Sequence, residues 1–222
     1  PRAPPRALAC ATLAPSAAAA QQILRDSSQF QWYVIPLMVV VIYLYSEQWH
    51  ARRWSVILGG LAFWLMDWVN EIWNGLVLHF SGYAPVWGAP SDTAFLILAG
   101  LNIEISLMFA VLGLAAMLTL PRDPKAKILG VNNRVVWAAT NAALSVLVEI
   151  YLNHIGALVW EWPFWNASSP WLIFLLGYLP FYLVGAWVHD MPSRRRQVVA
   201  VSGLGTFVAA SLILFVPVLG WL

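Results

Sequence analysis

Six long apolar segments dominate this sequence, and each is close to the roughly 20 residues that a helix needs to cross the hydrocarbon core of a bilayer. In lipid the backbone must pair its own amides and carbonyls, and the apolar residues are continuous rather than alternating as in membrane barrel strands. The segments therefore predict six transmembrane helices. They lie at Trp32–Tyr45, Trp54–Phe80, Thr93–Leu120, Arg134–Trp160, Trp171–Val188 and Val198–Trp221.

The composition favours the same class, an all-α polytopic membrane bundle. Of the 222 residues, 61% are hydrophobic and only 10% are charged, whereas soluble domains are about a quarter charged. The net charge of +2 and the division of the basic residues among short clusters argue against nucleic-acid binding. The single cysteine, Cys10, excludes a disulfide scaffold.

Basic residues mark every second loop between the predicted helices. The first, third and fifth loops contain Arg52, Arg53, Arg122, Lys125, Lys127, Arg134, Arg194, Arg195 and Arg196. The second loop (residues 81–92) and the fourth (residues 161–170) contain no Lys or Arg. The positive-inside rule therefore predicts a plasma or inner membrane protein with loops one, three and five in the cytoplasm and both termini outside.

The N-terminal residues 1–30 are expected to be a leader-like or disordered segment, followed by one transmembrane domain over residues 31–222. Small residues Ala18–Ala20 precede Gln21 and fit a leader cleavage site. The alternative is a disordered tail rich in alanine and proline.

Four carboxylates lie within the predicted spans: Asp67, Glu71, Glu104 and Glu149. An ionisable group inside a membrane is costly and normally faces a protein interior or a polar cavity. No Lys or Arg lies at a similar depth within any of the predicted spans. Polar groups can also simply hold helices together, but four acids favour a functional cavity.

The spacing of the polar residues predicts that the acids meet. Asp67, Asn70, Glu71 and Asn74 are three and four residues apart, and Asn141, Ser145, Glu149 and Asn153 repeat at intervals of four. Asn102 lies beside Glu104 on the third predicted helix. At 1.5 Å per residue, Asp67, Glu104 and Glu149 all lie roughly 16–22 Å from a helix end, which predicts one buried site.

Such a site would suit acid–base chemistry without a cofactor. Carboxyl groups buried without a cation can divide the work, one protonated as the acid and another ionised as the base. Aromatic faces attract positive charge. The pattern predicts proton-initiated, carbocation-type isomerisation, cyclisation or hydration of a lipophilic isoprenoid- or sterol-like substrate taken from the membrane lipids. The candidate binding residues are Trp64, Trp68, Asn70, Trp73, Asn74, Asn102, Asn141, Tyr151, Asn153, Tyr178 and Tyr182.

Four motifs occur in a recognisable order: RRWS at 52–55, DWVNEIW at 67–73, LNIEISL at 101–107 and LVEIYLNH at 147–154, followed by an aromatic-rich span. This order resembles the EXPERA group, which contains the emopamil-binding sterol isomerases, and the resemblance covers about residues 52–190. It implies a membrane bundle with a four-helix core that shifts a ring double bond by protonation and deprotonation. Glu71 and Glu104 match that family's acids, whereas Asp67 stands where the family has a histidine. The acid-plus-tryptophan helix also resembles small membrane terpene cyclases.

Other functions remain open from the sequence. The same acids could relay protons in a proton-coupled transporter, or the chain could be a non-catalytic or pigment-binding subunit of a membrane complex. A carboxylate-rich metal site would use Glu71, Glu104, Glu149 and His154. The polar residues extend outward through Asn74 and Asn153, so we expect the cavity to open toward the outer leaflet under a lid formed by Trp160–Trp171.

Overall fold

The computed structural model describes residues 12–90 and 92–222, which form a mostly helical chain. Its helices are α1 (Pro15–Ile23), α2 (Val34–His50), α3 (Trp54–Ser81), α4 (Ile103–Leu118), α5 (Asn133–His154), α6 (Pro170–His189) and α7 (Arg194–Val218). Two small antiparallel hairpins pair β1 (Leu96–Leu98) with β2 (Leu101–Asn102) and β3 (Lys127–Ile128) with β4 (Val131–Asn132).

Each of the helices α2 to α7 overlaps one of the six apolar segments found in the sequence. Within the described ranges, α5, α6 and α7 are long and apolar enough to cross a membrane, and α4 is a shorter apolar helix. The predicted helical class is therefore found.

The third predicted segment is wrong at its start, because the chain forms the β1–β2 hairpin before α4. Leu96 pairs with Asn102 and Leu98 with Leu101. Asn102 then caps α4, since its Oδ1 accepts a hydrogen bond of 2.7 Å from the Ile105 amide and satisfies a free donor of the first turn. Glu104 consequently lies in the first turn of α4, not deep within a span.

Helix α3 lies at the centre of the bundle and packs against α4, α6 and α7, while α2 packs on α4 and α5 on α6. Glycines allow these helices to approach closely, as is common between membrane helices. A Cβ on Gly113 of α4 would lie 2.6 Å from the carbonyl oxygen of Gly60 on α3. The aromatic side chains Phe63, Phe109, Trp137, Phe181 and Tyr182 form the largest buried cluster around α3.

The N-terminal segment that was expected to be leader-like or disordered contains the packed helix α1. The amide of Ala14 donates to the Tyr83 carbonyl at 2.9 Å, and Ala17 is buried against Ala84. Helix α1 therefore covers the loop between α3 and α4. Cys10 lies outside the described residues.

Candidate functional site

A small cavity lies between α3, α4, α5 and α6, beneath the two loops that join α3 to α4 and α5 to α6. Three of the predicted carboxylates, Asp67, Glu71 and Glu149, line it. Their side chains are almost fully buried. The cavity volume is about 40 Å³, which at roughly 10–15 Å³ per molecule accommodates a few waters. The structure thus brings Glu149 to the same cavity as Glu71, which is 78 residues earlier in the sequence, and Asp67, which is one helical turn from Glu71.

Asp67 differs from the other two acids because one of its oxygens has no partner. The residue is 3% exposed, and its Oδ2 is buried without a hydrogen bond among the described residues. A buried polar atom left unpaired costs about 1–3 kcal/mol. Glu71 lies one turn further along the same face of α3. Asp67 is therefore the acid most available to a molecule in the cavity.

Glu71 is held by the loop between α3 and α4. Trp87 donates from its indole Nε1 to Glu71 Oε1 at 2.6 Å. Asn74, which is fully buried, fixes the same loop: its Nδ2 donates to the Trp87 carbonyl at 2.8 Å, and its Oδ1 accepts from the Val86 amide at 2.7 Å. Gly100 allows this close packing, since a Cβ there would lie 2.8 Å or less from Asn74, Trp87 and Glu71.

Glu149 is held in the same way by the loop between α5 and α6. The indole Nε1 of Trp160 donates to Glu149 Oε1 at 3.1 Å, and that of Trp165 approaches the same oxygen at 3.5 Å. Each of these two carboxylates therefore has an indole donor from the loop that covers it. These indoles pair carboxylate oxygens in a cavity whose lining contains no Lys, Arg or His side chain.

The two loops also bind each other and form one cap over the cavity. Gly88 and Val159 exchange two backbone hydrogen bonds of 2.9 Å, which form an antiparallel bridge between the two loops. The rings of Trp87 and Trp165 are stacked with centroids 5.3 Å apart, and Trp165 is only 1% exposed. The expected covering segment Trp160–Trp171 thus forms only half of the cap.

The far wall of the cavity is aromatic and includes an irregular turn of α6. Phe109, Tyr178 and Phe181 line it, with Phe109 and Tyr178 stacked at 6.3 Å. Residues Ile173–Tyr178 form a π-helical turn, a feature that often occurs at functional sites. Asn70 donates to the carbonyl of Leu176 in this turn at 3.0 Å. Asn70 thus lines the cavity and also fixes its wall.

Glu104 is not part of this cavity, although its neighbour Ile105 lines it. Its carboxylate accepts hydrogen bonds from the Tyr33 hydroxyl, the Thr93 hydroxyl at 2.6 Å and the Ala94 amide at 2.7 Å. It lies at the end of a separate apolar groove between α2 and α4. The expectation that four acids meet in one site is therefore wrong for Glu104.

Three predicted binding amides are bound to the backbone near them. Asn102 caps α4, Asn141 donates to the Trp137 carbonyl at 2.8 Å, and Asn153 donates to the Leu158 carbonyl at 3.0 Å. Asn153 therefore holds the first residues of the loop that follows α5. None of these amides lines the cavity.

The predicted aromatic residues divide into buried and exposed positions. Trp64 donates to the Ser106 hydroxyl at 3.1 Å, Trp68 has a buried Nε1 without a partner among the described residues, and Tyr182 shares a hydrogen bond of 2.8 Å with Ser145. Exposed faces of the bundle carry Tyr151 and Trp73. Of the predicted aromatic residues, Tyr178 alone lines the cavity.

The alternative metal ligands do not come together. Among residues 12–90 and 92–222, no group of three or more His, Cys, Asp or Glu side chains is placed to hold a metal ion. His154 is exposed at the end of α5, and Glu104 is in its own groove.

Comparison with known proteins identifies the family. A family model described as an uncharacterized membrane protein family matches residues 14–217. The chain belongs to this family. A relative from Archaeoglobus fulgidus, described as an uncharacterized protein, is 54% identical over 200 residues, which are 90% of this chain and 95% of the relative. A shorter protein of the same organism and description is 47% identical over 53 residues, or 24% of this chain and 95% of its own length. No solved structure matches the chain.

Family membership and the apolar helices place this chain in a membrane.

The tryptophans of the two loops have a role that the sequence did not predict. Trp87, Trp160 and Trp165 are not among the candidate site residues that the sequence predicts. The structure shows them donating to the buried carboxylates. The available signal was their position in two loops without Lys or Arg, each next to a helix that carries an acid.

Proposed function

We propose that this membrane protein is an enzyme that carries out proton-initiated chemistry on a lipophilic, isoprenoid- or sterol-like molecule. The observation that carries the proposal is the unpaired Oδ2 of Asp67, buried at an aromatic-walled cavity beside Glu71 and Glu149. Intramembrane acids without a countercharge are normally kept for function. Of the two acids that match the emopamil-binding isomerases, Glu71 lines this cavity and Glu104 does not, so the resemblance supports this chemistry through Glu71 alone.

The arrangement gives each acid a role. Protonated Asp67 would add its proton to one carbon of a double bond, which leaves a carbocation on the neighbouring carbon. Glu71 or Glu149 would then remove a proton from an adjacent carbon to complete an isomerisation or cyclisation, or take one from an added water to complete a hydration. The faces of Phe109 and Tyr178 would stabilise the intermediate charge.

The substrate would have to displace the cap. Pockets for small organic molecules measure roughly 300–1,000 Å³, whereas this cavity measures about 40 Å³. The Trp87–Trp165 stack is the contact between the two loops nearest the acids, and its separation would join the cavity to the lipid or solvent beyond the cap.

Deuterium incorporation tests the enzyme directly. The full-length protein would be incubated in deuterated water with isoprenoid and sterol lipids, and non-exchangeable deuterium in the lipids would be measured by mass spectrometry. We expect incorporation with the wild type, loss of it in Asp67→Asn, and retention in Glu104→Gln, which removes an acid outside the cavity. Full incorporation by Asp67→Asn would contradict the proposed mechanism.

A proton-coupled transporter is the second candidate, and the small volume of the cavity favours it. A space that holds a few waters beside three acids suits the passage of protons better than the binding of a lipid. In proteoliposomes, a transporter would dissipate an imposed pH gradient and lose this activity in Asp67→Asn, with no deuterium entering lipid carbon. The two measurements therefore separate the candidates.

The proposed topology has six membrane helices, α2 to α7, with both termini and the cap outside. The basic residues of the α2–α3, α4–α5 and α6–α7 loops support it. In a Cys10→Ala background, a cysteine replacing Ser168 in the cap should react with an impermeant thiol reagent in intact cells. A cysteine replacing Lys125 should react only after permeabilisation. The opposite pattern would invert the topology.

A further inference from the structure

A second concavity lies at the point where α5 begins, α6 ends and α7 begins. These are the three described helices that are long and apolar enough to cross a membrane. We call this concavity the interfacial groove. Its volume is about 1100 Å³, and it is lined by Pro124 of the α4–α5 loop and by side chains from within residues 132–134, 183–196 and 199–200. Because spanning helices end where hydrocarbon gives way to headgroups, the groove lies at headgroup level. This holds whichever side of the membrane it faces.

Two arginines of the interfacial groove carry uncompensated charge. Arg134 is neutralised by Asp190, with Nε and an Nη atom donating to the two carboxylate oxygens at 2.6 and 3.0 Å. Arg194, just outside the groove, lies 3.7 Å from the ring centroid of Trp54. Arg195 and Arg196 are exposed, line the groove and have no acidic partner among the described residues.

The walls next to these arginines are apolar and open. Trp187 on α6 and Val199 on α7 are both more than half exposed, and Leu183 continues the α6 wall toward the membrane interior. A cationic rim above apolar walls complements a molecule that has an anionic head and a hydrocarbon chain. Arginine forks match phosphate oxygens in particular.

We propose that the interfacial groove binds an anionic phospholipid. Arg195 and Arg196 would hold the phosphate, and the hydrocarbon chain would lie along Trp187 and Val199 between α6 and α7. Each arginine near the membrane surface is attracted to anionic headgroups. The site is separate from the carboxylate cavity and does not depend on the chemistry proposed for it.

Native mass spectrometry of the full-length protein in detergent tests this site. Phosphatidylglycerol and phosphatidylcholine with identical chains would be titrated onto the wild type, onto Arg195→Gln/Arg196→Gln, and onto the control Arg52→Gln/Arg53→Gln. The control removes the same charge from an exposed loop outside the groove. We expect the wild type to prefer phosphatidylglycerol, the groove variant to bind it about 30-fold more weakly, and the control to change less than threefold.

Three outcomes would overturn the proposal. Equal binding of the two lipids by the wild type would show that the groove does not select an anionic head. Equal losses in both double variants would assign the effect to general surface charge. Displacement of phosphatidylglycerol by millimolar inorganic phosphate would show a phosphate-ion site that makes no use of the hydrocarbon chain.

Discussion

Asn70 on α3 supplies a hydrogen-bond donor to the carbonyl of Leu176 on α6, with Nδ2 and the oxygen 3.0 Å apart. In a regular helix this carbonyl would accept from the amide of residue 180, which is Pro180 and has no N–H. An unpaired carbonyl is costly inside a membrane unless another group pairs with it. Asn70 therefore allows α6 to depart from regular geometry where it presents Tyr178 to the cavity.

Replacing Asn70 tests this relationship. We expect Asn70→Ala to lower the free energy of unfolding in detergent by about 1–3 kcal/mol, because the Leu176 carbonyl loses its donor. Pro180→Ala returns an amide at position 180, so Asn70→Ala should have a smaller effect in that background. Denaturant unfolding of the four proteins gives the coupling. An identical loss in both backgrounds would show that Asn70 does not substitute for the missing amide.

Hydropathy in the sequence predicts the start of α3 correctly but misses the start of α4. Trp54 is the first residue of both the predicted and the observed α3. The start of α4 is missed because the β1–β2 hairpin is as apolar as a membrane helix, so hydropathy cannot separate the two. Asn102 and the preceding Gly100 were the local signals of a break. The misplacement of Glu104 follows directly from this error.

The sequence predicts the acids of the candidate site but not the loop residues that hold them. Helical periodicity puts Asp67 and Glu71 on one face, and the structure adds Glu149 at the same cavity. The contacts of Trp87 and Trp165 depend on two loops meeting in space, for which the sequence has no periodic signal. The role of Asn70 likewise depends on a proline in a distant helix.

The close approach of α3 and α4 gives a second prediction. Gly113→Ala should lower the unfolding temperature, because its Cβ would lie 2.6 Å from the Gly60 carbonyl oxygen and 2.9 Å from a ring carbon of Phe63. Overpacking of this kind costs about 1–3 kcal/mol. Gly203→Ala on α7 is the control, since a Cβ there meets nothing within 4 Å. Thermal unfolding in detergent measures both, and equal temperatures would show that the α3–α4 contact can relax.

Stability and function should oppose each other at Asp67. Asp67→Leu removes the unpaired buried oxygen, so we expect the free energy of unfolding to rise by about 1–3 kcal/mol. Glu71→Leu makes the same kind of change one turn away and should instead lower it, because Trp87 loses its acceptor. Denaturant unfolding of the two variants gives the comparison. A loss of stability in Asp67→Leu would mean that the Asp67 oxygen has a stabilising partner.

The ion pair at the end of α6 predicts a dependence of stability on pH. Partial burial alone would raise the pKa of Asp190, but the hydrogen bonds from Arg134 and His189 outweigh it and hold the pKa below the usual value of an aspartate. A lowered pKa in the folded state stabilises the fold above the unfolded-state value, about 3.9, and this stabilisation disappears as the pH falls through the lowered folded-state value. We therefore expect Asp190→Asn to lower the free energy of unfolding by about 0.5–1 kcal/mol at neutral pH. The difference from wild type should shrink at acidic pH. The control Asp92→Asn removes an exposed acid outside this ion pair. Unfolding curves for the three proteins from pH 7 to pH 3 measure the effect, and a difference between wild type and Asp190→Asn that persists at pH 3 would show that the carboxylate charge is not its source.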